Sequence, residues 1–482
     1  MVQLKMGISK HVDVVIVGGG PAGLAAAHET VNHGARAIVL EKLDRVGGLA
    51  RTLDFQGSRF DIGPHRFFTT NREVHALFVD VVGADLVRVP RLTRIFYNNK
   101  YFDYPLTPLN ALFGVGVFNS FAILASYLAA RLRRVVSPRQ PLNFEDWIVD
   151  RFGRRLYETF FKTYTEKVWG IPCTRIGADW AGQRIKGLSL TTAVMNALFK
   201  PRSGTIKTLV DEFIYPRDGA GQLYEKMADV VRARGGQVEL QSPVRAIRHS
   251  GGRVHHVVSG DREIAGDQFL VSAPLTEIVD MMDPPAPEDV QAACRALCYR
   301  DHVGVNLLVE GSPFPDNWIY IHSRDVGMAR ISNYANFSPA MASRPKLSPL
   351  TVEYFTFPGE GVWEASDEEL KERATAELEH MGILARGQVA DGFVVRSSKA
   401  YPVIEIGYEQ HIDIIKKWLG SFENLLPIGR SGMFKYNNQD HAMYTGILAA
   451  RTALGLGRFD PWLVNIDAEY HEGAQLPETQ SD

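Results

Sequence analysis

The residues best suited to chemistry in this sequence form a glycine-rich turn near its start. The turn reads GGGPAG over residues 18–23 and follows VDVVIV, an apolar run of strand length. Glycines with this spacing permit a tight turn, the close approach of a pyrophosphate, and dense packing of a helix on a strand. The helix start adds unpaired N–H groups and a positive dipole end. The predicted dinucleotide contacts are Gly18, Gly20, Pro21, Ala22 and Gly23.

An acidic residue completes this pattern. The helix-like stretch ends near Gly34, and a second apolar run, Ala37–Leu40, leads directly to Glu41. A carboxylate at this strand end accepts both hydroxyl groups of an adenosine ribose and repels a 2′-phosphate. Strand, turn, helix, strand and acid together predict a Rossmann-like unit for a dinucleotide other than NADP, and Lys42 is included in the predicted site.

A second glycine pair follows at residues 43–52, which read LDRVGGLART. This stretch resembles the FAD-binding motif of the superfamily of amine oxidases, protoporphyrinogen oxidases and UDP-galactopyranose mutases. The resemblance implies that Gly47, Gly48 and Leu49 lie beside the diphosphate and ribityl chain of FAD. We expect non-covalent FAD, because no cysteine follows Cys298 to form the C-terminal cysteinyl bond of monoamine oxidases.

Four further motifs, in chain order, resemble those of the UDP-galactopyranose mutase family. They are DIGPHRFFTTN (61–71), YTEKVWG (164–170), LCYR (297–300) and GRSGMFKYNNQD (429–440). The resemblance implies that His65 lies near the isoalloxazine ring, that Arg430 contacts FAD, and that the backbone of Val244 meets the adenine. The other cofactor contacts implied are Gly429, Asn438 and Gln439.

The same resemblance implies a substrate pocket. Tyr436 and Arg300 would hold a diphosphate, since a phenol and an arginine fork suit phosphate oxygens. Aromatic faces suit sugar or base rings. The implied pocket comprises Tyr164, Trp169, Arg184, Arg300 and Tyr436. Two positions depart from the mutase pattern: Phe68 replaces a second histidine, and Leu188 replaces a substrate arginine, with Lys186 the nearest cation.

These departures favour a FAD-dependent oxidoreductase acting on a nucleotide- or lipid-linked sugar by hydride transfer to flavin N5. His65, Arg300 and Tyr436 are the predicted catalytic residues. The alternative is a non-redox nucleotide-sugar mutase, in which reduced flavin N5 attacks the anomeric carbon. A third hypothesis is a flavin-stabilised binding protein without turnover. No metal site is predicted.

Composition limits the partners and the compartment. The chain has 482 residues, of which 45% are hydrophobic and 22% charged, as in folded globular proteins. With 53 Lys+Arg against 55 Asp+Glu, the net charge of −2 gives no basic field for nucleic acid. Three cysteines are too few for a disulfide framework, and the first residues lack the apolar core of a signal peptide. We therefore expect a cytoplasmic enzyme.

The motifs predict an α/β fold in which a discontinuous FAD-binding Rossmann-like domain of the GR2 type is interleaved with a mixed α+β substrate domain. Strand-like runs at 244–248, 269–273 and 425–429, and a helix-like run at 440–456, extend the first domain. The predicted FAD domain covers residues 1–100, 211–290 and 396–465. The predicted substrate domain covers residues 101–210 and 291–395, and residues 466–482 form a polar tail.

One uncharged stretch, Tyr104–Ala130, has two interpretations. It forms either buried helices of the substrate domain or an apolar segment that meets the inner face of a membrane. In the second case the arginines up to residue 139 would contact phosphate head groups. A membrane-spanning helix is disfavoured by Pro105, Pro108 and the Asn119–Ser120 pair.

Several other residues have competing interpretations. Lys399 either holds a water at flavin N5, as in amine oxidases, or is a solvated lysine at a strand end. Leu156, Phe160 and Tyr164 recur at helical spacing, which also fits a simple core stripe. Cys294 and Cys298 share that spacing and are expected in the core.

Overall fold

A computed structural model describes residues 12–465 except 105, 107–109, 111–113, 138, 179 and 181–211. Its largest sheet has eight strands. Seven of them run in the order Met282–Asp283, Val244–Ser250, Arg253–Ser259, Arg262–Val271, Val12–Val17, Ala37–Leu40 and Gln237–Glu239. The eighth, Leu425–Pro427, pairs with Arg262–Val271 in parallel. The predicted Rossmann-like unit is therefore confirmed, and the turn of Gly251 and Gly252 joins two antiparallel strands of this sheet.

The first strand explains why this sheet is buried on both faces. Along Val12–Val17 successive side chains point to opposite sides. Val14 and Ile16 join the core beneath the helices Pro21–Asn32 and Gln439–Ala453, whereas Val15 and Val17 join a second core on the other side. A continuous apolar, β-branched run is what a parallel strand covered on both faces requires.

A second sheet has seven strands. Its strands run in the order Val389–Pro402, Tyr299–Glu310, Leu347–Thr356, Arg330–Asn333, Trp318–Ile321, Thr93–Tyr97 and Lys100–Asp103. The domain boundaries placed at residues 100 and 396 fall inside strands of this sheet, because hydrogen bonding continues across both positions. The fold class expected from the sequence is confirmed.

The two faces of this second sheet differ in polarity. Val303, Val305 and Leu307 face an apolar core that is shared with the helix Asp367–His380. The alternate positions on the same strand include His302 and Asn306, which belong to the opposite face. The polar face therefore lies on the side away from that apolar core.

Two small antiparallel pairs and several helices complete the described residues. The pairs join Thr52–Phe55 to Ser58–Asp61 and Leu86–Pro90 to Glu212–Pro216. The remaining helices include Arg72–Val82, Val117–Val136, Phe144–Phe152, Arg154–Leu156, Lys162–Trp169, Gly221–Ala233, Leu275–Asp280, Glu288–Ala296, Gly361–Glu364 and Tyr408–Leu419. A π-helical segment, Tyr157–Phe161, precedes Lys162–Trp169.

Two expectations about buried segments are corrected. The uncharged stretch does not form buried helices throughout, because the helix Val117–Val136 leaves Phe118, Phe121 and Leu128 exposed to solvent. Cys298 is also exposed, because the helix that carries Cys294 ends at Ala296 and the spacing no longer places both on one face. Among the described residues, no helix is both long enough and apolar enough to cross a membrane.

The contact between Pro21–Asn32 and Gln439–Ala453 depends on a glycine. A Cβ at Gly446 would collide with the carbonyl oxygen of Ala22 and lie 3.1 Å from the amide nitrogen of Ala26. We expect Gly446→Val to lower the free energy of unfolding by about 1–3 kcal/mol, because overpacking forces the helices apart. Chemical denaturation measures this change. Gly361→Ala is the control, since a Cβ there meets nothing within 4 Å and we expect no destabilisation. A fully stable Gly446→Val variant would contradict the tight contact.

Candidate active site

The glycine-rich turn adopts the geometry of a phosphate cradle. Gly18 has φ +100°, and a Cβ on Gly23 would collide with the carbonyl oxygen of Gly18. The second glycine pair lies directly beside the first, because the N–H of Gly47 donates to the carbonyl of Gly19 at 2.8 Å. A Cβ on Gly48 would lie 3.1 Å from the Cα of Gly20. Two glycine turns thus meet at the N-terminus of a helix, with Pro21 in its first turn.

Glu41 stabilises this cradle through hydrogen bonds to backbone N–H groups. Its carboxylate accepts hydrogen bonds from the backbone N–H of Gly19 at 2.6 Å and from that of Leu43 at 2.9 Å. Each oxygen keeps a second lone-pair direction that can accept a ribose hydroxyl. The side chain is buried, whereas Lys42 next to it is exposed. Glu41 therefore both fixes the turn and remains able to bind an adenosine ribose.

Val244 begins a strand close to this acid. The backbone N–H of Ser242 donates to the carbonyl of Glu41 at 2.8 Å, two residues before Val244 pairs with Ser259. This hydrogen bond places Val244 close to Glu41. The position fits the adenine contact that the resemblance implied, which remains a prediction.

The C-terminal segment adds the other end of the cradle. Gly429 has φ +85°, and a Cβ there would lie 3.0 Å from the Cβ of Ala22, beside the first glycine turn. Arg430 follows, and its guanidinium donates to the carbonyls of Ala400 and Asn437 at 3.0 and 3.1 Å. Its Nη2 is buried with no hydrogen-bond partner. A buried donor of this kind at the end of a glycine cradle fits an acceptor on a bound cofactor.

The helix Gln439–Ala453 connects this segment to the GPH loop. Asn438 is its N-cap residue, and the Nε2 of Gln439 donates to the carbonyl of His65 at 3.2 Å. The Oε1 of Gln439 accepts from the hydroxyl of Tyr224 at 2.7 Å. The helix N-terminus and the His65 loop are thereby held together.

His65 is uncharged near neutral pH. Burial, opposed by a hydrogen bond to the carbonyl of Ile62 and reinforced by Arg330, lowers the pKa of His65 to about 4. The Nε2 atom lies 2.9 Å from that carbonyl, which can only accept. Nε2 therefore carries the proton, and Nδ1 offers a lone pair. The neutral imidazole can accept a hydrogen bond at Nδ1, whereas a protonated imidazolium could only donate there.

A buried ion cluster, which the sequence did not indicate, supports the His65 loop. Arg330 donates to both oxygens of Glu353 at 2.7 and 2.5 Å, and the Nε2 of His302 lies 3.2 Å from the same carboxylate. Burial raises the pKa of Glu353, but Arg330 and His302 outweigh it and lower that pKa to about 2. Gly63 packs on the pair, since a Cβ at this glycine would lie 3.1 Å from Glu353 Oε2.

The register between strands explains why the sequence did not indicate this cluster. Arg330 and Glu353 are direct partners on neighbouring strands, and both belong to the polar face of the second sheet. The two residues are 23 positions apart in the chain. Opposite charges on two strands indicate an ion pair only once the pairing of those strands is known. The sequence alone does not provide that pairing.

Aromatic side chains gather beside Arg430 and form a surface that we call the aromatic wall. The ring of Trp169 lies 5.7 Å from that of Tyr436 and 6.5 Å from that of Tyr401, measured between centroids. The guanidinium of Arg430 lies over both tyrosine rings, at 4.2 Å from Tyr436 and 4.4 Å from Tyr401. Tyr164 belongs to the same apolar cluster. The structure thus brings together the predicted Tyr164, Trp169 and Tyr436, and adds Tyr401.

Arg300 lies at the edge of this wall but is already paired. It is 5% exposed, and it donates to Glu360 Oε2 at 3.1 Å and to the carbonyl of Phe355 at 2.8 Å. Its guanidinium also lies 4.1 Å from the ring centroid of Phe357. Burial lowers the pKa of Arg300, and Glu360 opposes that shift. A substrate phosphate would have to compete with Glu360 for this side chain.

Three of the other positions singled out in the sequence are not described by the structure. Arg184, Lys186 and Leu188 lie outside the described residues. Phe68 is buried, with the guanidinium of Arg66 5.5 Å from its ring centroid. Lys399 does not reach the aromatic wall, because its Nζ lies 3.2 Å from Glu277 Oε1 and 3.2 Å from Thr276 Oγ1. This contact disfavours the interpretation of Lys399 as the lysine that holds a water at flavin N5.

A cavity of about 670 Å³ lies beside the strands Thr93–Tyr97 and Lys100–Asp103 of the second sheet. Its lining includes Lys100, Asn119, Arg155 and Lys162. None of the predicted site residues lines it, so it is distinct from the cradle and the aromatic wall.

The cradle, the acid and the buried arginine donor fit a dinucleotide cofactor, and the family is shown by comparison. The model of the family described as flavin containing amine oxidoreductase matches residues 21–410. The chain belongs to this family. The resemblance noted in the sequence is thereby confirmed, and membership implies a flavin cofactor and a place in the flavin-dependent oxidoreductase superfamily.

Individual relatives are more distant. A probable UDP-galactopyranose mutase of Klebsiella pneumoniae is 27% identical over 35% of this chain and 43% of its own length. The putrescine oxidase of Kocuria rosea is 26% identical over 50% of each chain. The chain therefore spans half or less of the length of these two curated relatives.

Solved structures share the fold over nearly the whole chain. A reduced UDP-galactopyranose mutase has a TM-score of 0.81 at 20% identity, covering 94% of this chain and 99% of its own. The cyclohexylamine oxidase of Brevibacterium oxydans has a TM-score of 0.64 at 16% identity, covering 93% and 100%. At these identities the likeness establishes the fold of the family.

Glu41 offers a direct test of the cradle. We expect Glu41→Gln to weaken FAD binding by about tenfold or more, because a charge-assisted acceptor for Gly19 and for the ribose is lost. Equilibrium titration of the apoprotein with FAD measures the change. Glu263→Gln is the matched control, since its side chain lies near His256 at the surface. Equal FAD affinity in the two variants would contradict the role of Glu41.

A second neutral histidine makes stability depend on pH. Burial, reinforced by Lys167, lowers the pKa of His322 to about 3, and its ring stacks on Tyr164 at 4.8 Å. Because the unfolded state binds the proton first, His322 makes the protein lose stability as pH falls from about 6.5 toward 3.

The variant His322→Phe keeps a stacking ring and removes this titration. We expect it to lose less free energy of unfolding than the wild type between pH 7 and pH 5. Chemical denaturation at the two pH values measures the difference. An equal loss in both proteins would mean that His322 is protonated normally in the folded state.

Proposed function

We propose that the protein is an oxidoreductase that holds FAD non-covalently and removes a hydride from a sugar-type substrate linked to a nucleotide or a lipid. When bound, FAD supplies the two-electron acceptor at N5. The observation that carries the proposal is the character of the pocket. Its wall is aromatic, its histidine is neutral, and Arg300 and Arg330 are each already paired with a carboxylate. Such a pocket suits the uncharged sugar ring of the substrate.

Each group in the pocket then has a limited task. The faces of Trp169 and Tyr436 orient a sugar ring by packing. Neutral His65 accepts a hydrogen bond at Nδ1 from a substrate hydroxyl, and it takes up the proton of that hydroxyl as the carbon loses the hydride and becomes a carbonyl. Arg330 and Glu353 act through the loop that carries His65, because Gly63 rests on their ion pair.

The cysteines support a non-covalent cofactor. Cys173 and Cys294 are buried, and burial raises the pKa of each thiol to about 12. Burial also raises the pKa of Cys298, whose thiol contacts the carbonyl of Tyr299. Thiolates are the reactive form, so all three side chains are poorly suited to a flavin bond.

The second candidate is a non-redox sugar mutase. It is favoured by the gathering of Tyr164, Trp169 and Tyr436 in one apolar cluster, as the mutase resemblance implied. The phenylalanine at position 68, where the mutases have a second histidine, weighs against it. The two candidates differ in whether substrate changes the redox state of the flavin.

Anaerobic titration separates the candidates. FAD-loaded protein is mixed with UDP-galactose, and in a second series with a polyprenyl-diphosphate-linked sugar, before and after reduction with dithionite. We expect one substrate series to bleach the oxidised flavin absorbance without dithionite. Isomerisation that occurs only after reduction, with no net redox change, would establish the mutase instead.

A pair of tyrosine variants tests the site itself. We expect Tyr436→Phe to slow flavin reduction or raise the substrate concentration needed for it by about tenfold, because the hydroxyl of Tyr436, which we propose also donates to an oxygen of the packed sugar, is lost. Tyr408→Phe is the matched control, since its ring contacts Phe434 away from the aromatic wall. Identical kinetics in the two variants would remove Tyr436 from the substrate site.

A further inference from the structure

An apolar stripe runs along the helix Val117–Val136 and faces solvent. Its exposed side chains include Phe118 at 93%, Phe121 at 68%, Leu128 at 59%, Leu132 at 66% and Val135 at 82% of their full area. Single exposed apolar residues are common on protein surfaces, but a continuous row over the whole length of a helix marks an interaction surface. The opposite side of the helix holds Ile123 and Tyr127, which are buried.

Arginines border the C-terminal end of this stripe on both sides. At about 100° per residue, Arg131 lies beside the edge marked by Leu124, and Arg133 lies beside the opposite edge marked by Ala122. Arg134 and Arg139 follow at the same end and are exposed. From residue 104 to residue 144 the chain contains four arginines and no aspartate or glutamate.

We propose that this helix docks the protein on the surface of an anionic lipid bilayer, with the apolar stripe immersed among acyl chains and the arginines at the phosphate groups. Charge complementarity selects this occupant: an apolar face flanked by cations is the pattern of helices that lie in the membrane interface. The arginines also attract a negatively charged leaflet. A second copy paired about a two-fold axis parallel to the helix would instead bring arginines beside arginines.

The attachment of this helix would place the active site near the bilayer. Its buried side packs on Phe144–Phe152, and one apolar core runs from Ile123 through Trp147 to Trp169 and the half-buried Tyr436. The docking helix is thus continuous with the aromatic wall. A protein held in this way would meet lipid-linked substrates at the surface where they reside, although binding to vesicles can be measured without any substrate.

Vesicle sedimentation tests the proposal on the FAD-loaded protein. We expect binding to vesicles that contain phosphatidylglycerol, weak binding to pure phosphatidylcholine vesicles, and a loss of binding as salt is raised. The variant Phe118→Ser/Leu128→Ser should bind the anionic vesicles more weakly by about tenfold or more, because two large apolar side chains no longer enter the bilayer. The control Ile406→Ser/Leu463→Ser removes exposed apolar side chains elsewhere and should bind as the wild type does.

Three results would overturn the proposal. The first is wild-type protein that stays in the supernatant with anionic vesicles. The second is equal vesicle binding by the stripe variant and the control variant. The third is a wild-type protein that light scattering without vesicles shows to be a dimer, while the stripe variant is a monomer and the control variant stays dimeric. The apolar stripe would then be a contact between two copies of the chain. Retained FAD absorbance in each variant shows that the fold is intact, and flavin reduction by substrate is measured separately from docking.

Discussion

The site depends on how closely backbone segments approach one another around the first glycine turn. Gly23 has no room for a side chain against the carbonyl of Gly18, Gly48 contacts Gly20, and Gly446 contacts Ala22. These contacts join segments from the two ends of the chain. They bring the helix N-terminus, the second glycine pair and the C-terminal segment that carries Arg430 to one place. The cofactor cradle is therefore a consequence of backbone packing before any side chain takes part.

Charge is handled differently in the two halves of the site. At the cradle, Glu41 is held by backbone N–H groups and stays available to a ribose. At the aromatic wall, Arg330 is neutralised by Glu353 and Arg300 by Glu360. Burial keeps His65 uncharged. A cofactor with an anionic diphosphate and an uncharged reacting ring would match this division.

The sequence predicted the features that depend on local order along the chain. The strand Val12–Val17, the turn at Gly18, the helix that follows it and the acid Glu41 follow from spacing and residue type, and the structure contains them. It did not predict the partners of Arg300 or the Arg330–Glu353 pair, because these depend on the register between distant strands. It also left the exposure of the helix at 117–136 undecided, because an uncharged run is compatible with a buried or an exposed face until its neighbours are placed.

The most direct test of a non-covalent FAD enzyme is the identity and attachment of the flavin in the purified protein. The holoprotein is denatured by acid, and the released material is separated from the polypeptide and analysed by chromatography and mass spectrometry. We expect one FAD for each chain, released intact and leaving a polypeptide of unmodified mass. FMN, a flavin that stays attached to the polypeptide, or a protein that neither retains nor takes up FAD would contradict this assignment.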